Sequence, residues 1–148
     1  MPGLIKPKGM IQMLKVIMGH KGAGKTKDII DLVKKAAEDE TGAVVCIEKG
    51  STLTYDIPYS VRLVEAPDDC VGNFEFLKGM ICGLHASNYD LSHIFVDGLF
   101  RITGESTDVT VERFLDWCEA FSDKNSVKLT MTISSDASLA TAGIKKYF

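Results

Sequence analysis

The amino-acid sequence predicts an α/β fold: a three-layer sandwich in which a mainly parallel sheet of about five strands is flanked by helices. Three features carry this expectation. Short apolar runs alternate along the chain with segments whose apolar residues recur at helical spacing. The run AVVCIE at 43–48 is apolar without alternation, as in a parallel strand buried on both faces. Strands separated by helices favour parallel pairing, with helices on both faces of the sheet.

The elements follow in order. Residues 13–18 form a short apolar run that ends in glycines, and residues 26–38 place Ile29, Ile30, Val33, Ala36 and Ala37 at helical spacing. AVVCIE is the second strand, and the alternating VRLVE at 61–65 suits an edge strand. Phe74, Leu77, Ile81 and Leu84 mark the next helix, with Asn73 as its expected N-cap. HIFVD at 93–97 is another strand. Val111, Phe114, Leu115, Cys118 and Phe121 share one helical face, with Asp108 placed before it. VKLTMTI at 127–133 is the last strand, and residues 137–148 read as a turn plus a short helical tail. No further strand follows, so the first strand lies near a sheet edge that the leader, the tail or a second subunit must cover.

With 148 residues the chain is expected to form a single domain over 13–148 after a flexible leader, 1–12. That length buries a core without metal or disulfide support. A net charge of −3 and a pI near 5.6 give no sign of a basic nucleic-acid surface. No apolar run approaches the roughly 18 residues a membrane span needs, and the leader lacks a secretory apolar stretch. Of Cys46, Cys70, Cys82 and Cys118, none pairs as CxxC and three fall in apolar segments. Buried free thiols and a cytoplasmic location are therefore expected. His20, His85 and His93 lack metal-ligand spacing.

Between the first strand and the first helix, Gly19-His20-Lys21-Gly22-Ala23-Gly24-Lys25-Thr26 matches G-x-x-x-x-G-K-[ST] at every fixed position. Glycines let the backbone curl so that successive N–H groups face phosphate oxygens, and the helix start adds its positive end. In such a loop Lys25 reaches the β- and γ-phosphates and the Thr26 hydroxyl ligates Mg²⁺. His20 and Lys21 occupy variable positions, where a solvent-facing role is the plainer expectation. Triphosphate chemistry also needs a carboxylate near the metal ion, and Asp97, ending the strand HIFVD, offers one. The competing reading is a turn-forming Asp before Gly98.

On these motifs, residues 13–135 resemble P-loop NTPases. GHKGAGKT, IFVDG and the closing SLATAGIKKYF also resemble small ATP-binding proteins of anaerobic bacteria sometimes labelled twitching-motility (pilus retraction) ATPases. The resemblance implies ATP and Mg²⁺ as ligands. GTPases carry D-x-x-G after the metal strand and a guanine-reading N-K-x-D; here Phe100 stands where that glycine belongs, and Asp123-Lys124-Asn125-Ser126 is no substitute. Nucleotide kinases close an arginine-rich lid, whereas Arg62, Arg101 and Arg113 are scattered. The RecA-like branch is the best fit: its members insert a strand with a polar end between the loop strand and the Asp strand, a place that residues 127–133 with Ser134 and Ser135 can fill.

Hydrolysis requires a group that positions water. Gly98 stands where many ATPases of this branch keep Glu; the resemblance to RecA and rotary-type ATPases, which use a Glu at the end of the second strand, instead implies Glu48 as the water-orienting carboxylate. An exposed strand-end charge and a pair with Lys49 are the alternatives, while Glu65 is placed too far away and Glu105 lies on a loop. Arg101, Lys145 and Lys146 are candidates for a cation on the developing phosphate charge. The expected function is a slow Mg²⁺-dependent ATPase, against an ATP-binding switch or adaptor without significant hydrolysis, or a small-molecule kinase. A homo-oligomer or a protein partner is a further expectation.

Overall fold

The computed structural model describes residues 11–50, 53, 56–68, 73–104 and 106–148. In chain order these form β1 (Leu14–Gly19), α1 (Lys25–Asp39), β2 (Ala43–Glu48), β3 (Arg62–Glu65), α2 (Phe74–Ser87), β4 (Leu91–Asp97), α3 (Leu99–Thr103), α4 (Asp108–Asn125), β5 (Lys128–Ser134) and α5 (Ala142–Lys145). The strands make one all-parallel sheet in the order β1-β5-β4-β2-β3. The fold class is the expected one, and the sheet is fully rather than mainly parallel. The strand read at 127–133 does lie between β1 and β4, and β3 forms the expected edge.

Period-2 alternation sends side chains to two cores. Val45 and Ile47 of β2, with Ile94 and Val96 of β4, pack in a core with Leu77 and Ile81 of α2 and Val111, Phe114 and Leu115 of α4. Val44 and Cys46, with Phe95, pack against Ile29, Val33 and Ala36 of α1. Ile29 and Val33 are fully buried. At about 2 kcal/mol each, they outweigh the few tenths of a kcal/mol, roughly, forgone because α1 starts at a glycine with no side-chain cap.

The other long helices are capped. Asn73 Oδ1 accepts the Phe76 N–H at 2.7 Å, as expected. The cap of α4 is Thr107, whose hydroxyl accepts the Thr110 N–H at 3.3 Å, so Asp108 lies in the first turn rather than before it. A negative charge there faces the positive end of the helix, which explains why Asp108 resembles a cap in sequence. The five-residue α3 was not expected, being too short to show a period.

β1 does lie at an edge, and the tail covers part of it. The Val16 N–H donates to the Tyr147 carbonyl at 2.8 Å, and Gln12 Nε2 donates to the same carbonyl at 3.0 Å. Residues 1–10 of the expected leader lie outside the described residues, but Gln12 is anchored. Tyr147 is 2% exposed and its hydroxyl donates to Asp116 Oδ1 at 2.7 Å. Burial, reinforced by Asp116 and Glu119, pushes its phenol well above the usual range.

Cys46 and Cys118 are buried free thiols as expected, whereas Cys82 is exposed. The correction has a simple cause: Cys82 follows Ile81 by one residue, which turns it about 100° off the buried face of α2. Cys70 lies outside the described residues. Among the described residues no helix is long and apolar enough to cross a membrane.

Candidate functional site

The parallel register brings the carboxyl ends of the strands together. Gly19 of β1 lies opposite Ser134 of β5, and Glu48 of β2 lies opposite Asp97 of β4. In open parallel sheets this end is where ligands bind. A cavity of about 540 Å³ opens here, walled by Lys21, Gly22, Gly24, Lys25 and Thr26 of the glycine-rich loop and α1, by Asp97, Gly98 and Arg101, and by Thr132 and Ser134 of β5.

The loop is fixed from within. The His20 carbonyl accepts the Ala23 N–H at 3.0 Å and the Lys25 ammonium at 2.8 Å. Lys25 is thereby held at 8% exposure with its charge at the cavity wall. Gly24, the N-cap of α1, has φ 92°, a left-handed conformation that strains any side chain. The first-turn N–H groups of α1 therefore meet the cavity with no capping side chain, which is the arrangement that binds anions.

Opposite the loop stands Asp97, 3% exposed. The Gly98 N–H donates to Thr132 Oγ1 at 2.7 Å, and the Thr132 hydroxyl donates to Asp97 Oδ1 at 2.8 Å. Asp97 Oδ2 faces Arg101 Nη2 at 3.3 Å. Gly98 has φ 76°, and a methyl group on its α-carbon would overlap the Arg101 guanidinium. Glycine rather than glutamate suits the position after Asp97 because its left-handed backbone strains any side chain.

Of the residues singled out in the sequence, Lys21, Gly22, Gly24, Lys25, Thr26 and Asp97 share the cavity. Gly19 closes the loop through its carbonyl, which accepts the Ser135 N–H at 3.1 Å. The His20 ring and Ala23 are exposed to solvent, with His20 Nε2 3.9 Å from Asp136 Oδ2. Glu48 is 2% exposed and does not wall the cavity; both of its carboxylate oxygens lie 3.3 Å from the Leu53 N–H. Lys49, the alternative partner for Glu48, bonds Asp68. Burial, then the charges of Asp97 and Glu48, push the Cys46 thiol up to about 12, so it stays protonated. Lys146 pairs with Asp116 at 3.1 Å, and neither it nor Lys145 walls the cavity. Glu105 lies outside the described residues.

Sequence reading missed Thr132. Its signal was available: Thr130 and Thr132 alternate with Leu129, Met131 and Ile133, a polar pair sharing one face of a buried strand.

The donors suit a hard divalent ion. A carboxylate and a hydroxyl oxygen, from Asp97 and Thr26, wall one cavity. Among the described residues no three His, Cys, Asp or Glu side chains gather into a metal cage. Mg²⁺ is commonly held by one or two protein oxygens, with phosphate oxygens and water completing its shell. No family model and no curated protein matches the chain.

Proposed function

We propose that the protein is a Mg²⁺-dependent ATP-binding protein that hydrolyses ATP slowly. One observation carries this reading: the glycine-rich loop, the uncapped start of α1, the Lys25 ammonium and the buried Asp97 carboxylate converge on a single cavity at the carboxyl end of the sheet. The backbone N–H groups of residues 22–26 cradle phosphate oxygens, and Lys25 exchanges its His20 carbonyl for the β- and γ-phosphates. Thr26 and Asp97 hold Mg²⁺, which when bound neutralises phosphate charge. Thr132 keeps Asp97 oriented. Glu48, opposite Asp97 in the register, is the carboxylate that orients water. Adenine is preferred to guanine because no guanine-reading motif is present.

A second reading, an ATP-binding switch or adaptor, draws support from Glu48 itself, whose carboxylate is turned to the Leu53 N–H rather than into the cavity. Phosphate release and ATP affinity in Glu48→Gln separate the two. Lost release with unchanged affinity supports the ATPase, and unchanged release removes Glu48 from the mechanism. Wild-type protein that binds ATP and releases no phosphate is a switch. The buried unpaired thiols Cys46 and Cys118 suit a reducing cytoplasm.

A further inference from the structure

We infer that Arg101 is a stand-in cation for Asp97, competing with the divalent ion for Oδ2 and giving way when the ion binds. The inference rests on the nucleotide-site reading above and extends it to how that site is kept neutral without metal.

The two oxygens of Asp97 are held in different ways. Oδ1 accepts the Thr132 hydroxyl at 2.8 Å. Thr132 Oγ1 already accepts the Gly98 N–H at 2.7 Å, so its single proton is directed at Asp97. Thr132 is 1% exposed and neutral, so this bond supplies Oδ1 with a partner but no counter-charge. Oδ2 instead faces Arg101 Nη2 at 3.3 Å, from a side chain 52% exposed that itself walls the cavity. A buried carboxylate without a counter-charge is costly, and a guanidinium on a solvent-facing stem supplies one that can leave. A divalent ion or its bound water at the same oxygen would meet the guanidinium as a like charge, so the two exclude one another.

A second observation points the same way. Gly98 leaves its β-position to the Arg101 guanidinium, so backbone and cation are fitted to each other beside Asp97. Arg101 stands in α3, four residues beyond the end of β4, and its side chain reaches back toward the N-terminus of that helix to the carboxylate.

The test compares ATP affinity in excess Mg²⁺ with affinity in a chelator, in the wild type, Arg101→Ala, Arg101→Gln and Arg101→Lys. Without Arg101, metal-free triphosphate meets an unshielded Asp97 and binds more weakly, while the metal ion loses its competitor. The ratio of the two affinities should therefore rise by about twofold to fivefold in the Ala and Gln variants, the span of a partly exposed ion pair. It should stay near the wild-type value in the Lys variant, which keeps the charge. A merely structural role, or a role on the phosphates alone, would weaken both affinities alike; a ratio unchanged or lowered in the Ala and Gln variants overturns the inference. If the wild type binds ATP and Lys25→Ala does not, such a result overturns this inference alone. If the wild type binds no ATP in either condition, the nucleotide-site reading falls and takes this one with it.

Discussion

Thr132 carries two bonds with one hydroxyl, accepting from the Gly98 N–H and donating to Asp97. In Thr132→Val the shape is kept, but a buried N–H and a buried carboxylate oxygen both lose a partner. Each unmade bond of this kind costs about 1–3 kcal/mol, so the denaturant midpoint should fall by the equivalent of at least about 2 kcal/mol with an unchanged slope. Thr132→Ser keeps the hydroxyl and should lose no more than about 1 kcal/mol, the worth of one buried methyl group. Equal losses in the two variants would show that the hydroxyl does not support Asp97. Asp97 and the loop residues were legible in the sequence because their spacing is tied to a chemistry. Thr132 and Arg101 were not identified as partners of Asp97, since contacts across strands, or across the bend from a strand into a helix, exist only after folding.

The helix α1 is held at both ends by different means. Its start meets the cavity, while its C-cap residue, Glu40, bonds His93 Nδ1 of β4 at 2.7 Å, and His93 Nε2 lies 2.9 Å from Thr130 Oγ1 of β5. Fifteen residues at 1.5 Å each put about 22 Å between the two ends, so this brace is remote from the cavity. Burial holds His93 below its ordinary value of 6.5, against the opposing pull of Glu40. The unfolded chain therefore takes up this proton first, and stability falls as pH drops below about 6.5. For Glu40, burial alone would raise the carboxyl, but His93, Ser92 and Lys128 bring it below its ordinary 4.5. Its contribution is complete above that value and is lost as pH falls further. Thermal melts of His93→Gln should show a smaller drop in Tm between pH 7 and pH 5.5 than the wild type; an equal drop would assign the acid sensitivity elsewhere. At this level the sequence was informative where elements are long. β2 matches its predicted bounds, and β5 was placed between the right neighbours. The short α3 was hidden because five residues cannot display a helical period, and its start at Gly98 resembles a turn.

Across the molecule, one sheet carries two cores and leaves β1 and β3 at its edges. From sequence alone the cover of β1 was open between leader, tail and a second subunit. The tail takes part of that role through the Tyr147 carbonyl and its buried ring. Tyr147→Ala should cost about 3–5 kcal/mol, as for other large buried rings, and should expose an edge able to pair with another chain. Sedimentation velocity should then show concentration-dependent association greater than in the intact protein; no increase would mean that the tail does not guard this edge. The sheet also aligns the carboxyl ends of β1, β4 and β5, and this alignment gathers the loop, Asp97 and Thr132 around one cavity. An isothermal titration of purified protein with ATP and Mg²⁺, run beside Lys25→Ala, tests that convergence. The structure leads us to expect saturable binding in the wild type and an affinity lower by about tenfold or more in the variant, the worth of a charge-assisted hydrogen bond to phosphate. No binding by the wild type, or equal affinity in the two proteins, would contradict it.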